Sequence, residues 1–346
     1  MYINFMYDEN KDVYIYFWLL LITLLVALMI VIGGLTRLTD SGLSITNWDL
    51  FSGIIPPLNR NEWEHFFSLY KEIPEYKLLN SSMTLEEFKV IYWWEFVHRF
   101  LGRLIGILYL VPLVYFSWKK VIVRKYLISF YLIFILILFQ GFVGWYMVQS
   151  GLVERTDVSH YRLSLHLTLA FIILGFLLWY LFKYKNNNKL IIRIKLPYFL
   201  PNIFLICILL QISLGALVSG LDAGKIYQTW PLMGENYFPD DSTLDQLFLL
   251  NSFDSPSIVQ FIHRNLAYLI FFLFLFIASI IFKNNNFAHL RNIALFLFLV
   301  ILLQIFLGIL TVLSGVNILI ASLHQIGSIL LFTTALNLVF ENSKIN

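Results

Sequence analysis

The chain predicts an all-α integral membrane protein, with eight transmembrane helices as two pseudo-twofold-related four-helix bundles. Three observations carry this. Of the 346 residues, 59% are hydrophobic and 13% charged, with mean hydropathy +0.77; a soluble protein of this size cannot hide so much apolar surface. The apolar residues fall in continuous runs near the roughly 20 residues a spanning helix needs, not in the alternation of a barrel strand. The second half of the chain also repeats the polar landmarks of the first, in the same order.

The opening dozen residues set Asp8, Glu9 and Asp12 against Lys11 alone. That composition predicts neither an Arg-rich presequence nor a cleaved signal, and points to a bacterial protein. The first span is predicted over Val13–Gly33, followed by a long segment, about Leu35–Glu95. The second span runs from Phe96 to Ser117, the third from Leu127 to Val148 and the fourth from Ser159 to Phe182. The fifth, Tyr198–Ser219, leads into a second long segment, Gly220–Pro256. Ser257–Phe282, Ile293–Leu313 and Asn317–Phe340 complete the set, the last interrupted by Ser322, His324 and Gln325.

Basic residues fix the orientation. Lys119, Lys120, Arg124 and Lys125 lie between spans two and three; Lys183, Lys185, Lys189, Arg193 and Lys195 between four and five; Lys283 and Arg291 between six and seven. These loops are predicted to face the cytoplasm together with both termini, as in a multi-pass protein of the bacterial inner membrane. The segment after span five is acidic and belongs outside, with Asp222, Glu235, Asp240, Asp241, Asp245 and Asp254 against Lys225. The net charge of +3 sits in these short loops and implies no nucleic-acid partner. The single cysteine, Cys207, excludes an intrachain disulfide and a thiolate cluster.

Gly33-Gly-Leu-Thr-Arg-Leu-Thr-Asp40-Ser-Gly42 aligns without gaps on Gly215-Ala-Leu-Val-Ser-Gly-Leu-Asp222-Ala-Gly224, which brings Trp48 opposite Trp230. His98-Arg99 matches His263-Arg264, Gln140 matches Gln304, and His166 matches His324. Four spans per half is an even number, so the repeats are parallel, related by an axis along the membrane normal. Residues 1–190 form one predicted bundle, with outer loop 35–95, and 191–346 the other, with outer loop 220–256.

His98, His166, His263 and His324 lie on spans two, four, six and eight, at similar depths in the outer half of the bilayer. Within a half, two parallel helices can aim imidazoles at one another across the bundle, the geometry for holding a haem iron from both faces. Any one of them alone reads as an interhelical hydrogen-bonding histidine; four in matched pairs favour ligation. Zinc fits less well, because two ligands per half fall short of its usual coordination. Arg99, Arg103 and Arg264 can pair with a carboxylate such as a haem propionate or snorkel to headgroups, and Arg37 and Arg162 can play either part. Charged residues within a span cost about 2.5–3.5 kcal/mol each at its centre, so twin His-Arg pairs suggest function.

Glu95 stands three residues before His98 and shares a helix face with it; Gln260 occupies the matched place and cannot ionise. A partly desolvated carboxylate beside an iron site can act as a base or steady positive charge, while the alternative is an interfacial acid paired with Arg99. One half is thus equipped to react and the other to hold a cofactor or pass electrons. His65 and His289 are assigned to loops. His160 rivals His166 but lacks a partner in the second half. Gln140, Gln211 and Gln304 are predicted to make interhelical hydrogen bonds, and Gly102 and Gly106 to form a close-packing face.

These motifs resemble the haem A synthase family, of the mitochondrial and alphaproteobacterial type, over nearly the whole chain. The resemblance rests jointly on Gly33-Gly-Leu-Thr-Arg-Leu-Thr-Asp-Ser-Gly-Leu-Ser, Pro56-Pro, Tyr92-Trp-Trp-Glu-Phe-Val-His-Arg, Gln140-Gly-Phe-Val-Gly-Trp-Tyr-Met-Val-Gln-Ser-Gly-Leu, Tyr161-Arg-Leu-Ser-Leu-His-Leu, Gly220-Leu-Asp-Ala-Gly, Phe261-Ile-His-Arg and Leu323-His-Gln. It implies oxidation of the C8 methyl of haem O to a formyl group by successive hydroxylations, giving haem A for cytochrome oxidase. It further implies a haem b cofactor held by His263 and His324 with Arg264 beside it. Substrate haem would lie between His98 and His166, with Arg99 and Arg103 nearby and Glu95 the essential acid. Some bacterial members carry a cysteine pair in the first outer loop; this chain has none, so a thiol-based role there is not available to it. Expected partners are haem O, membrane lipid, an unidentified electron acceptor and the haem O-producing prenyltransferase. A di-haem b-type, quinol-linked electron carrier is the main alternative, but it would place both histidine pairs on two helices and have no use for a Glu/Gln split. A repeat-built transporter would want broken helices and a midplane polar site.

Overall fold

The computed structural model describes residues 9–47, 52–153, 155–185, 195–197, 199–249 and 251–343. Ten α-helices and several short 3₁₀ turns make up the architecture among these residues. In chain order they are α1 (Glu9–Leu38), α2 (Arg60–Tyr70), α3 (Pro74–Leu78), α4 (Leu85–Trp118), α5 (Arg124–Gln149), α6 (His160–Lys185), α7 (Phe199–Gly220), α8 (Pro256–Lys283), α9 (Arg291–Leu313) and α10 (Ile318–Ser343). Eight of them are long and apolar enough to cross a membrane, the number and order expected. The boundary proposed at residues 190 and 191, the loop residues Lys189 and Arg193, and Tyr198 and Trp48 lie outside the described residues.

The first half is the group α1, α4, α5 and α6; the second is α7, α8, α9 and α10. Neighbour relations follow the repeat. The packed pairs α1–α4, α4–α5, α5–α6 and α1–α6 have counterparts in α7–α8, α8–α9, α9–α10 and α7–α10. Across the junction, α6 meets α7 as α10 meets α1, and α6 meets α10. That exchange is what a twofold axis along the bundle requires.

Two packed regions bracket the middle of the molecule. The large apolar core runs through both halves and includes Trp18, Tyr109, Phe130, Phe171, Phe204 and Phe274, all buried. Polar tips within it are satisfied: the Trp18 indole N–H donates to the Leu108 carbonyl at 3.1 Å and the Tyr109 hydroxyl to the Phe130 carbonyl at 3.0 Å. Since lipid tails are as apolar as these side chains, close packing and such bonds hold the helices together, not escape from water.

The second region is a cap on the first half, and it differs from expectation. α4 begins at Leu85, well before the predicted Phe96, because Thr84 and Glu87 form a capping box that starts the helix on the outer side. The loop from residue 35 to 95 contains α2 and α3: Phe67 and Tyr70 of α2 pack on Phe88 of α4, Trp63 and Phe66 on Tyr92, and Tyr76 of α3 against Phe67 and Tyr70, in one cluster with Leu43 and Ile45. Hydropathy alone misses such a cap, since Tyr, Trp and flanking acids dilute the apolar signal. Glu95, expected at the mouth of a span, is therefore enclosed within a continuing helix.

Candidate functional site

Each of the four histidines is seated against a glycine on the adjacent helix. A Cβ on Gly33 of α1 would come within 2.9 Å of the His98 ring on α4; one on Gly144 of α5, within 3.0 Å of His166 on α6. The second half repeats this, with Gly215 of α7 at 3.2 Å from His263 on α8 and Gly308 of α9 at 3.0 Å from His324 on α10. Glycine alone lets an imidazole approach a neighbouring backbone so closely.

Four residues before three of these glycines stands a glutamine that reaches across to the histidine's own main chain. Gln140 donates to the His166 carbonyl at 3.0 Å, Gln211 to that of His263 at 2.9 Å and Gln304 to that of His324 at 2.8 Å. The amide nitrogens of Gln140 and Gln211 also lie 3.4 and 3.2 Å from the Nε2 of His166 and His263. The expected interhelical glutamine bonds are thus made. Of the glycines predicted to pack closely, Gly102 meets the Met29 methyl, but a Cβ on Gly106 would meet nothing within 4 Å.

In the first half the ring centroids of His98 and His166 are 6.5 Å apart. That leaves room for one metal atom bonded at about 2 Å to a nitrogen of each ring. All four histidines keep Nδ1 buried with no hydrogen-bond partner. Buried polar atoms are rarely left unpaired, and four at matched positions, each in a glycine cradle, fit rings built to grip an iron from two sides.

Glu95 is 3% exposed and Gln260 2%, yet their surroundings are opposite in polarity. Glu95 accepts from Ser44 Oγ at 2.7 Å, the Ile45 N–H at 2.8 Å and the Arg99 guanidinium at 2.6 Å. Arg99 in turn donates to the carbonyls of Ile45 and Asn47 at 2.8 and 3.1 Å. Ile45 aligns on Tyr227, and there the Tyr227 carbonyl accepts from Gln260 at 3.0 Å and from Arg264 at 3.2 Å. The loop turns donors toward the carboxylate in one half and an acceptor toward the amide in the other. A carboxyl group is built in at Glu95 and left out at Gln260.

Other predicted residues are placed as follows. Arg103 lies one turn further along α4 than Arg99, half-buried, and Arg264 also donates to the Leu232 carbonyl at 3.3 Å. Arg162 stacks on the Tyr146 ring at 3.7 Å and donates to the Tyr146 carbonyl at 2.6 Å, anchoring α6 to α5. Arg37 bonds Asp40 at 2.7 Å, the Ser219 carbonyl at 2.9 Å and Asp222 at 3.3 Å, and so ties the halves together. His160 faces Asp254 at 3.2 Å, across the backbone of Gly220, away from the histidine pairs. The seating glycines, Ser44 and Ile45 went unassigned in the sequence. The glycines left one signal there: Gln-x-x-x-Gly recurs at 140–144, 211–215 and 304–308.

The model of the COX15-CtaA family, cytochrome oxidase assembly protein, matches residues 16–336. The "Heme A synthase" of Pelagibacter ubique (strain HTCC1062) is 48% identical, covering 99% of this chain and 100% of its own length. Those of Rickettsia felis and Rickettsia canadensis are each 44% identical over 91% of this chain and 94% of theirs. The chain belongs to the COX15-CtaA family of cytochrome oxidase assembly proteins.

Proposed function

We propose that the protein is a haem A synthase that oxidises the C8 methyl of haem O to a formyl group by successive hydroxylations, with haem b as cofactor. The observation that carries this is the asymmetry between otherwise matched sites: paired histidines in both halves, but a fixed carboxylate beside only one pair. Relatives named for haem A synthesis over almost the whole chain support it.

In this reading residues 1–190 form the converting half. His98 and His166 hold the iron of haem O, and Arg99 and Arg103 lie where propionates can be met. Glu95 does the proton work. Each hydroxylation replaces one C–H bond of the methyl carbon with a C–O bond to water and releases two electrons and two protons, one from the carbon to bulk water and one from the attacking water; loss of water from the doubly hydroxylated carbon leaves the formyl group. Glu95, held by Ser44, Ile45 and Arg99, steadies the positive charge developing at that carbon and accepts the proton the water releases. Residues 191–346 form the retaining half, where His263, His324 and Arg264 hold haem b and Gln260 keeps the pocket free of a reactive anion. A bound haem b supplies a one-electron acceptor beside the converting half. Electrons pass on to an acceptor outside the chain, and haem O arrives from its prenyltransferase. Both pockets open toward the outer face of the inner membrane, with both termini cytoplasmic.

Incubating the purified protein with haem O and separating the extracted pigments by chromatography tests this directly. Haem A should form with the wild type. Glu95→Gln should bind haem as before and form none; an active Glu95→Gln enzyme would refute the assignment.

A further inference from the structure

The glutamine that clamps a histidine is present at three sites and missing at one. Counting four residues back from the seating glycine gives Gln140, Gln211 and Gln304, but back from Gly33 it gives Met29. The gapless alignment of α1 on α7 sets Met29 against Gln211, in the same helix pairs that present His98 and His263. The thioether has no proton to donate, and its methyl instead lies 3.3 Å from where a Cβ on Gly102 would stand, one turn beyond His98. Among the described residues α1 bonds the α4 backbone on either side of His98 and not at it: further out the Thr36 hydroxyl donates to the Trp94 carbonyl at a long 3.5 Å, and further in the Trp18 indole donates to the Leu108 carbonyl at 3.1 Å.

From this we infer that His98 is the releasable ligand of the converting half, and that Met29 makes it so. The inference rests on the proposed function, under which haem O must enter and haem A must leave the first half while haem b stays in the second. A porphyrin gripped by two clamped imidazoles exchanges slowly. His166 carries its clamp from Gln140 and serves as the fixed anchor. His98 sits in an equally close glycine seat, yet its segment of α4 lacks the polar tie to α1, so the ring can withdraw without breaking an interhelical hydrogen bond in a dry interior. The two halves thus differ twice over, at Glu95/Gln260 for chemistry and at Met29/Gln211 for retention.

Haem transfer from the loaded full-length protein to excess apomyoglobin, followed by absorbance, reads this without reference to catalysis. Wild-type protein loaded with haem O should release it in a fast phase and its haem b in a slow one. His98→Ala should load less haem O and release what it holds faster still, His166→Ala should abolish the fast phase by removing the anchor, and His263→Ala should abolish the slow. Met29→Gln should slow the fast phase about tenfold, since one hydrogen bond in a dry site is worth about that factor, and leave the slow phase alone. Gln211→Met should speed the slow phase by a similar factor. Unchanged phases in both variants overturn the inference while leaving the proposed function intact. Should Met29→Gln fail to fold, an unchanged slow phase in Gln211→Met overturns it alone. If wild type and His98→Ala release haem identically, with no fast phase, the first half holds no haem, and the proposed function falls with the inference.

Discussion

A histidine in a membrane helix is usually reached by some neighbour's polar group; here each of four leaves Nδ1 dry and unpaired. Their positions are set by absence of bulk. Because Gly33, Gly144, Gly215 and Gly308 carry no side chain, each imidazole approaches a partner helix closely enough to fix its direction. Glu95 shows the reverse logic. Three donors converge on its two oxygens, so its hydrogen-bonding capacity is met where water is excluded. At this scale the second-half assignment is checked by His263→Ala, which should remove the low-spin absorption of resident haem b from the purified protein. An unchanged spectrum would count against His263 as a ligand.

Among the elements, α4 departs most from what hydropathy suggests. Its capping box starts it far out, and the extra turns give α2 and α3 an aromatic surface to pack on. Burial in that cap has a measurable consequence at Glu75 of α3, which is 4% exposed with Oε2 unpartnered. Burial pushes its carboxyl up from 4.5 to about 8, helped by Asp157, Asp40 and Glu95 and opposed by Arg37. The folded cap therefore holds a proton that the unfolded chain gives up above pH 4.5. Stability should fall as pH rises from about 4.5 to about 8 and level off beyond. Thermal unfolding followed by circular dichroism across this range should show that decline, and Glu75→Gln should flatten it and melt higher at alkaline pH. A wild-type profile in the variant would mean Glu75 is not the group responsible.

On the scale of the whole molecule, the two groups of four helices are held as one by contacts across the α6–α7, α10–α1 and α6–α10 junctions. Ser164 of α6 bonds the Ser213 carbonyl of α7 at 2.8 Å, Gln325 of α10 bonds the Ile30 carbonyl of α1 at 2.8 Å, and Phe171 meets Phe332 edge-on near the axis. Gln325 lies over Gly34, which has no room for a side chain there. Arg37 closes the outer end of the junction. Asp40 and Asp222 are well exposed and contribute little through charge alone, whereas the buried guanidinium loses its bond to the Ser219 carbonyl if truncated. Arg37→Ala should accordingly lower the stability of the detergent-solubilised protein by about 1–2 kcal/mol and leave haem spectra unchanged. A spectral change would move Arg37 from the junction to a pocket.

The eight helices, their order and the twofold repeat were legible in the sequence, because long apolar runs and recurring His-Arg pairs are local signals that lipid enforces without help from packing. The contrast between Glu95 and Gln260 was legible there too, and the structure surrounds Glu95 with three donors. Tertiary structure alone decided the rest. Whether two imidazoles face one another depends on helix rotation, which the seating glycines control from neighbouring helices. The cap over Glu95 depends on aromatic contacts between distant segments. The inverted polarity of the loops at Ile45 and Tyr227 is a matter of backbone direction, which side-chain identity does not encode. Arg37 looked free to serve a ligand until its partners across the junction came into view.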